Sequence, residues 1–170
     1  MKLDIIIREA EPDDAEELLE FFQQIGSETD NMPYGPEGTF FTLEGERRYL
    51  ENVKNSKTSI IYLATHNKKI VGIASIETFG AKRMSHRSKM MISILKDYWG
   101  NGIGSMLISN IIKFAKSIKL EIITLDVRSD NAPAIGLYEK FNFEKTGTSK
   151  KYFKINGEYF DAYNMELHIV

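Results

Sequence analysis

The sequence predicts an α/β fold, with one mixed β-sheet flanked by helices. Apolar segments rich in β-branched residues alternate along the chain with segments whose apolar residues recur at helical spacing. A strand, a glycine-rich loop, a helix and a further strand follow one another over residues 89–127. Such a crossover pairs its two strands in parallel, whereas tight turns join antiparallel strands, so we expect a mixed sheet. The length of 170 residues suits a single domain spanning residues 1–170.

The N-terminal part of the chain predicts a strand, two helices and a long loop. β-branched residues favour a strand over residues 3–10, and a helix with an acidic first turn follows over residues 11–26. We expect Gly26 to end this helix. Residues 27–41 contain two prolines and two glycines without an apolar period, which predicts a long loop of the kind that often carries function. Residues 42–55 return to helical spacing.

The middle of the chain predicts four strands around one helix. Strands are expected over residues 59–65 and 69–79, joined by a polar turn, and over residues 89–95 after a basic loop. A helix over residues 103–119 and a strand over residues 121–127 complete the crossover.

The C-terminal part predicts a short helix and a β-hairpin. The helix spans residues 131–142, with Asn131 as its cap and Pro133 in its first turn. Residues 143–170 are typical of two strands around the sequence Asn156-Gly157, which favours a tight hairpin turn.

The composition excludes several functional classes. There are 22 Lys and Arg against 24 Asp and Glu, so the net charge of −2 gives no reason to expect nucleic acid as the main ligand. The absence of cysteine excludes disulfides, thiolate metal sites and a cysteine nucleophile. His66, His86 and His168 are scattered, so we expect no metal. The N-terminal apolar stretch is short and interrupted by charges, which predicts a cytoplasmic protein without a membrane partner.

The stretch Tyr98–Met106 places three glycines at alternate positions between a predicted strand and a predicted helix. Glycine lets a ligand approach the main chain, and a helix N-terminus offers unpaired amides and a positive dipole. We therefore expect the loop to bind phosphate, with a tight turn that binds nothing as the alternative. Ser105 and Met106 follow Gly104 where a nucleoside-triphosphate P-loop requires Lys and then Ser or Thr, which excludes that loop type.

A dinucleotide-binding loop is a further alternative. Gly100, Gly102 and Ser105 nearly match the pattern G-x-G-x-x-G, and Asp126 lies at a suitable distance along the chain to bind a ribose. However, the third glycine is missing, and residues 96–99 separate the loop from the predicted strand. This interpretation would make the protein a dinucleotide-dependent oxidoreductase.

Two segments together resemble the Gcn5-related N-acetyltransferase (GNAT) family. Residues Trp99–Gly104 are similar to the family's [Q/R]-x-x-G-x-[G/A] loop, which grips the pyrophosphate of acetyl-coenzyme A (acetyl-CoA). Residues Asn131–Phe143 are similar to its N-x-x-A-x-x-L-Y-x-x-x-G-F segment. Trp99 replaces the usual Arg or Gln, and Asn142 replaces a glycine, which Asn can do because it tolerates left-handed backbone. The resemblance covers the chain from Ser75 onward and implies a GNAT-like acyl-CoA N-acyltransferase fold.

The resemblance implies acetyl-CoA as the cofactor and indicates which residues bind it. The strand before the glycine loop would pair through its backbone with the pantetheine arm, which enters a gap beside the strand over residues 121–127. Asn131 would serve as a helix cap, as a cofactor contact, or as both. The residues implied in cofactor binding are Ile92, Ser93, Ile94, Trp99, Gly100, Asn101, Gly102, Ile103, Gly104, Ser105, Asn131 and Tyr138.

The implied reaction moves an acetyl group directly to a primary amine, which needs a base for the amine and an acid for the departing sulfur. Tyr138 matches the family tyrosine that often protonates the sulfur, and packing in the core is its alternative role. Many relatives carry a glutamate base on the strand before the loop, but residues 89–95 contain no acid. Glu77, His86 and Asp126 therefore remain open as the base, as does a chain of water molecules.

The acceptor amine stays open among small amines, polyamines, aminoglycosides and peptide or protein N-termini. Acids and aromatics in residues 27–41 suit a cationic amine, and a solubilising surface loop is the alternative. The missing strand acid leaves open an acyl-CoA-binding sensor without catalysis. Relatives often pair, so a homodimer is compatible with the resemblance.

Overall fold

The chain folds around one seven-stranded sheet. The structure, a computed structural model, describes residues 3–169. The strands are β1 (Ile5–Glu9), β2 (Ile60–His66), β3 (Lys69–Thr78), β4 (Arg87–Ile94), β5 (Ile122–Arg128), β6 (Glu144–Ile155) and β7 (Glu158–His168). Their order in the sheet is β1-β2-β3-β4-β5-β7-β6. β4 and β5 pair in parallel, and the other neighbouring strands are antiparallel. The predicted mixed α/β architecture is therefore confirmed.

Four α-helices flank the sheet within the described residues. They are α1 (Ala15–Glu28), α2 (Leu43–Lys54), α3 (Ile103–Ser117) and α4 (Ala132–Lys140). Each buries an apolar stripe or residue in the core. Asn131 caps α4 as predicted, because its Oδ1 accepts a hydrogen bond from the Ala134 amide at 3.3 Å. Across residues 3–169, no helix has both the length and the apolar character needed to cross a bilayer.

β4 and β5 separate after a short paired region, and their separation creates a wedge in the sheet. The parallel ladder joins Arg87–Lys89 to Ile122–Thr124. Beyond it, β4 continues against β3 as far as Ile94, and β5 continues against β7 as far as Arg128. The two strands therefore present facing edges that are not paired with each other. This wedge is the gap that the family resemblance implies.

Two positions that the sequence singles out have left-handed backbone. Asn142 has a φ of 65°, so it can stand where the family pattern has glycine. Asn156 and Gly157 have φ values of 50° and 84° between β6 and β7, as the two-residue turn of a tight hairpin requires.

Gly26 does not end α1, so the expectation from the sequence is wrong at this residue. The helix continues to Glu28, and Gly26 is buried within it. A Cβ atom on Gly26 would lie 1.8 Å from the carbonyl oxygen of Gly35. Glycine is therefore needed here because the backbone of the loop over residues 29–42 packs directly against the helix.

We expect Gly26→Ala to destabilise the fold by about 1–3 kcal/mol, since the added methyl group forces the helix and the loop apart. Gly136→Ala is the matched control in α4, because a Cβ atom there would meet no atom within 4 Å. The control should gain about 0.5–1 kcal/mol from helix propensity. Urea denaturation measures both variants, and equal stability of the two would contradict the packing role of Gly26.

Candidate active site

A cavity of about 880 Å³ opens between β4 and β5. The start of α3 and one face of α4 line one part of it, and the loop over residues 29–42, α2 and β3 line another. Among the residues predicted to bind the cofactor, those that line the cavity are Ile92, Ser93, Ile94, Trp99, Gly100, Gly102, Ile103, Gly104, Ser105, Asn131 and Tyr138. The structure therefore brings all of the predicted cofactor residues except Asn101 to one cavity.

Backbone amides at the start of α3 point to an anion site. Gly102 precedes the helix with a φ of 78°, a conformation that favours glycine. The first hydrogen bond within the helix runs from the Met106 amide to the Gly102 carbonyl oxygen at 3.1 Å, so the amides of residues 103–105 have no acceptor within the helix. A Cβ atom on Gly100 or Gly102 would meet no atom within 4 Å, so the space beside these glycines is open. Unpaired amides and the helix dipole fit a pyrophosphate here.

Asn101 and Gly104 hold the loop in place. The Asn101 Nδ2 donates hydrogen bonds to the carbonyl oxygens of Tyr98 and Trp99, both at 3.1 Å. Gly104 is buried, and a Cβ atom there would lie 2.6 Å from the Leu137 Cδ2. A side chain at position 104 would therefore collide with α4. Gly104 is thus needed for helix packing, whereas the sequence pattern indicated a role in phosphate binding for all three glycines.

The free edge of β4 offers backbone groups to the wedge. The Leu95 amide donates to the Val71 carbonyl oxygen on the β3 side, so the alternation along the strand directs the backbone groups of Ile92 and Ile94 to the opposite side. The indole Nε1 of Trp99 donates to the Ile94 carbonyl oxygen at 2.7 Å. The Ile92 amide and carbonyl and the Ile94 amide therefore remain for an extended ligand.

Tyr138 combines burial with access to the cavity. It lies on α4, is 7% exposed, and packs 5.9 Å from the ring of Phe143 between centroids. Desolvation raises the pKa of Tyr138 above its ordinary value, so the hydroxyl keeps its proton at neutral pH. A protonated phenol can donate to a departing thiolate.

Asp126 is part of a hydrogen-bond network where the wedge begins. It lines the cavity, but its carboxylate accepts hydrogen bonds from the Lys89 Nζ at 2.6 Å, the Asn164 Nδ2 at 2.7 Å and the Tyr152 hydroxyl at 3.0 Å. Desolvation acts to raise the pKa of Asp126, but these hydrogen bonds outweigh it and lower the pKa. Such a carboxylate is a weak base, and its negative charge stabilises the surrounding structure.

His86 lies outside the cavity. It precedes β4, and its carbonyl oxygen accepts hydrogen bonds from the amides of Glu121 and Ile122 at 3.0 and 3.1 Å. The structure therefore separates His86 from the residues that it brings together in the wedge, and the histidine offers no base there.

Glu77 lines the cavity from β3 and accepts a hydrogen bond from the hydroxyl of Tyr49 on α2. Desolvation, followed by the hydrogen bond to this carboxylate, raises the pKa of Tyr49. The ring of Tyr49 stacks on Phe41, with centroids 5.8 Å apart and planes 11° apart. Of the three sequence candidates for the base, Glu77 is the one in the cavity without a cationic partner.

Glu46 is a cavity residue that was not predicted from the sequence. It lies on α2, is 2% exposed, and lines the same cavity as Glu77. Desolvation raises the pKa of its carboxyl group. In the sequence it is one of several acids on a polar helix, but its spacing of four and seven residues from Leu50 and Val53 indicates the buried face.

The acids of residues 27–41 support the surface-loop alternative that the sequence left open and not an acceptor site. Glu28, Asp30 and Glu37 do not line the cavity. Instead, the Glu28 carboxylate accepts from the Lys96 amide and the Glu37 carboxylate from the Gly35 amide, both at 2.8 Å. Glu28 and Glu37 therefore bind backbone amides, and the acids that line the cavity come from α2, β3 and β5. Within residues 3–169, no group of three or more His, Cys, Asp or Glu is arranged to hold a metal ion.

Comparison with known proteins assigns the chain to a family. The chain matches the acetyltransferase (GNAT) domain over residues 7–163. The L-amino acid N-acetyltransferase AaaT of Escherichia coli is 38% identical over 97 residues, which cover 56% of this chain and 60% of that protein. The chain therefore matches less than two thirds of the length of this relative.

Solved structures agree with this assignment. An acetyltransferase of the GNAT family from Streptococcus pneumoniae has a TM-score of 0.94 and 34% identity, covering 98% of this chain and 100% of that chain. The putative acetyltransferase yncA of Salmonella typhimurium, determined with acetyl-CoA, has a TM-score of 0.84 over 96% of this chain and 93% of that chain. Its identity is 18%, so it supports the fold alone. From the domain match and the shared architecture together, this chain belongs to the GNAT family of acetyltransferases.

Proposed function

We propose that this protein is an N-acetyltransferase that moves the acetyl group of acetyl-CoA directly to a primary amine. The observation that carries the proposal is the wedge between β4 and β5, which joins the unpaired amides of α3 to a cavity lined by Tyr138, Glu46 and Glu77. Membership of the GNAT family supports the same reaction class.

The residues of the wedge fit acetyl-CoA. The amides of residues 103–105 would hold the pyrophosphate, and the free backbone groups of Ile92 and Ile94 would pair with the pantetheine arm. When bound, acetyl-CoA supplies the acetyl group as a thioester. The fixed donors at the helix N-terminus position the cofactor so that the amine meets the acetyl group inside the cavity.

Transfer requires three proton movements that this chain can support. A carboxylate in the cavity accepts the first proton of the acceptor ammonium. The amine nitrogen then bonds to the acetyl carbon as the carbon–sulfur bond breaks. Tyr138 donates its proton to the departing sulfur and regains one from the nitrogen, so the reaction releases a single proton overall.

Calorimetry with acetyl-CoA and NAD, followed by thiol release with a panel of amines, tests this function. We expect selective acetyl-CoA binding, and thiol release with at least one amine. Acetyl-CoA binding without release from any amine would favour a sensor without catalysis. Binding of NAD alone would favour the dinucleotide-dependent oxidoreductase.

Gly102→Ala should lower acetyl-CoA affinity about tenfold, because a non-glycine residue in the left-handed region costs roughly 1–2 kcal/mol and turns the amides of α3 away. Gly157→Ala in the hairpin turn is the control, with a similar φ of 84° and equally open space. Calorimetry and thermal melting measure both variants. Equal affinity in the two variants would remove the glycine loop from the site.

Tyr138→Phe should lower kcat roughly 100-fold while acetyl-CoA affinity changes little, because the variant loses the proton donor and keeps the ring. Tyr159→Phe, at an exposed tyrosine of β7, should match the wild type. Steady-state kinetics and calorimetry provide the two readouts. Full turnover in Tyr138→Phe would assign the residue to core packing.

A further inference from the structure

The carboxylate of Glu46 lines the cavity and has no hydrogen-bond or ion-pair partner among the described residues. The residue is 2% exposed, and desolvation is the one cause that shifts its pKa, with no hydrogen bond or charge of the described residues acting on it. Buried polar groups in folded proteins are almost always paired, and an unpaired charge is especially costly. An unpaired carboxylate that lines a large cavity therefore indicates a ligand that supplies the missing partner.

The neighbourhood of Glu46 is acidic, aromatic and polar. The negative charge of Glu46 contributes to the raised pKa of Tyr49, which lies three residues later on the same helix. The Tyr49 hydroxyl donates a hydrogen bond to the Glu77 carboxylate on β3. The stacked ring of Phe41 borders the same part of the cavity, and the buried Thr39 Oγ1 also lacks a hydrogen-bond partner. Two carboxylates among aromatic rings favour an ammonium group.

Both cations that line the cavity are paired with protein carboxylates. Lys89 of β4 contacts Asp126 at 2.6 Å, and the Arg128 guanidinium binds both oxygens of Asp130 at 2.6 and 2.9 Å. The side chains of the described residues therefore leave no unpaired cation in the cavity for a free carboxylate. An acceptor that carried a carboxylate beside its amine would bring a third negative charge close to Glu46 and Glu77.

We propose that Glu46 binds the acceptor ammonium and takes its first proton, and that the preferred acceptor has no free carboxylate beside the amine. Peptide α-amines, amino-acid amides and simple alkylamines share this chemistry. The inference rests on the proposed acetyltransferase function. In the proton step, an N–H bond of the ammonium breaks, its proton joins a Glu46 carboxylate oxygen, and the neutral amine forms. The proton then passes to solvent as the product leaves.

Glu46→Gln tests the assignment because it removes the charge and keeps the shape. We expect kcat/KM for alaninamide to fall about 100-fold and the acidic limb of its pH profile to move up to the pKa of the free amine, while acetyl-CoA affinity stays within about twofold. Glu44→Gln is the matched control on the same helix, where the side chain is 71% exposed. Glu77→Gln should cost less than Glu46→Gln, and the reverse order would overturn the proposal.

Binding can be measured without transfer by titrating alaninamide into the protein with coenzyme A present. Wild type should bind and Glu46→Gln should lose at least about tenfold in affinity, which is the loss of one charged contact. Equal binding by both proteins, or no binding by wild type, would overturn the inference. If alaninamide binding depends on Glu46 but no thiol is released from acetyl-CoA, the binding role of Glu46 is supported and the proposed function is contradicted.

The acceptor class is tested by comparing alaninamide, an alanine-initiated peptide, 1,4-diaminobutane and free alanine. The first three should outperform free alanine at least about tenfold in kcat/KM, and their order separates peptide from small-amine acceptors. Preference for free alanine would overturn the assigned acceptor class.

The pH dependence of stability tests the unpaired state of Glu46 without acetyl-CoA or an amine. Burial raises the pKa of Glu46, so the folded chain holds this proton more tightly than the unfolded chain. The contribution of this carboxyl group to the free energy of unfolding is fully present below the ordinary glutamate pKa. It is lost as the pH rises through the pKa that the group has in the folded chain. The ionisable residues that line the same cavity include Tyr34, Tyr49, Glu77, Lys89, Asp126 and Arg128, and the variant keeps all of them. Glu46→Gln should therefore melt higher than wild type at about pH 8, with a smaller difference near pH 4. A lower melting temperature at pH 8 would show that Glu46 is paired.

Discussion

The early end of the hydrogen-bond ladder between β4 and β5 is the constraint on which the rest of the site depends. Each strand keeps its other neighbour, so the sheet remains continuous on both sides while two edges stay free. Ion pairs cross the region where the strands are still close, from Arg87 to Glu166 and from Lys89 to Asp126. These contacts stabilise the closed end of the wedge.

The cavity has two parts of opposite electrostatic character. At the start of α3, unpaired amides and the helix dipole favour anionic phosphate. On the side of α2 and β3, Glu46 and Glu77 favour a cation. A cofactor and an amine of opposite charge would therefore bind in one cavity without competing for the same groups. Close packing of the loop backbone against Gly26 supports the second part, because this loop lines it.

Pairing distinguishes structural charges from those that are free to act. Asp126 and Arg128 line the cavity, but their charges are satisfied by protein groups. Glu46 has no such partner and is destabilised by its burial. An unpaired acid lowers the stability of the fold, as functional sites that are arranged for a ligand commonly do. The same distinction separates Glu77, which holds one hydrogen bond from Tyr49, from the fully engaged Asp126.

The sequence by itself determined the order of strands and helices, the cap at Asn131, the hairpin at Asn156-Gly157 and the loop before α3. These features follow from periodicity, capping and backbone conformation, which act between residues close along the chain. Only the tertiary structure decided that His86 lies outside the cavity and that the burial of Glu46 leaves its carboxylate unpaired. Which charges are paired depends on contacts between segments far apart in sequence, such as the ion pair of Lys89 with Asp126. Local sequence patterns do not predict such contacts.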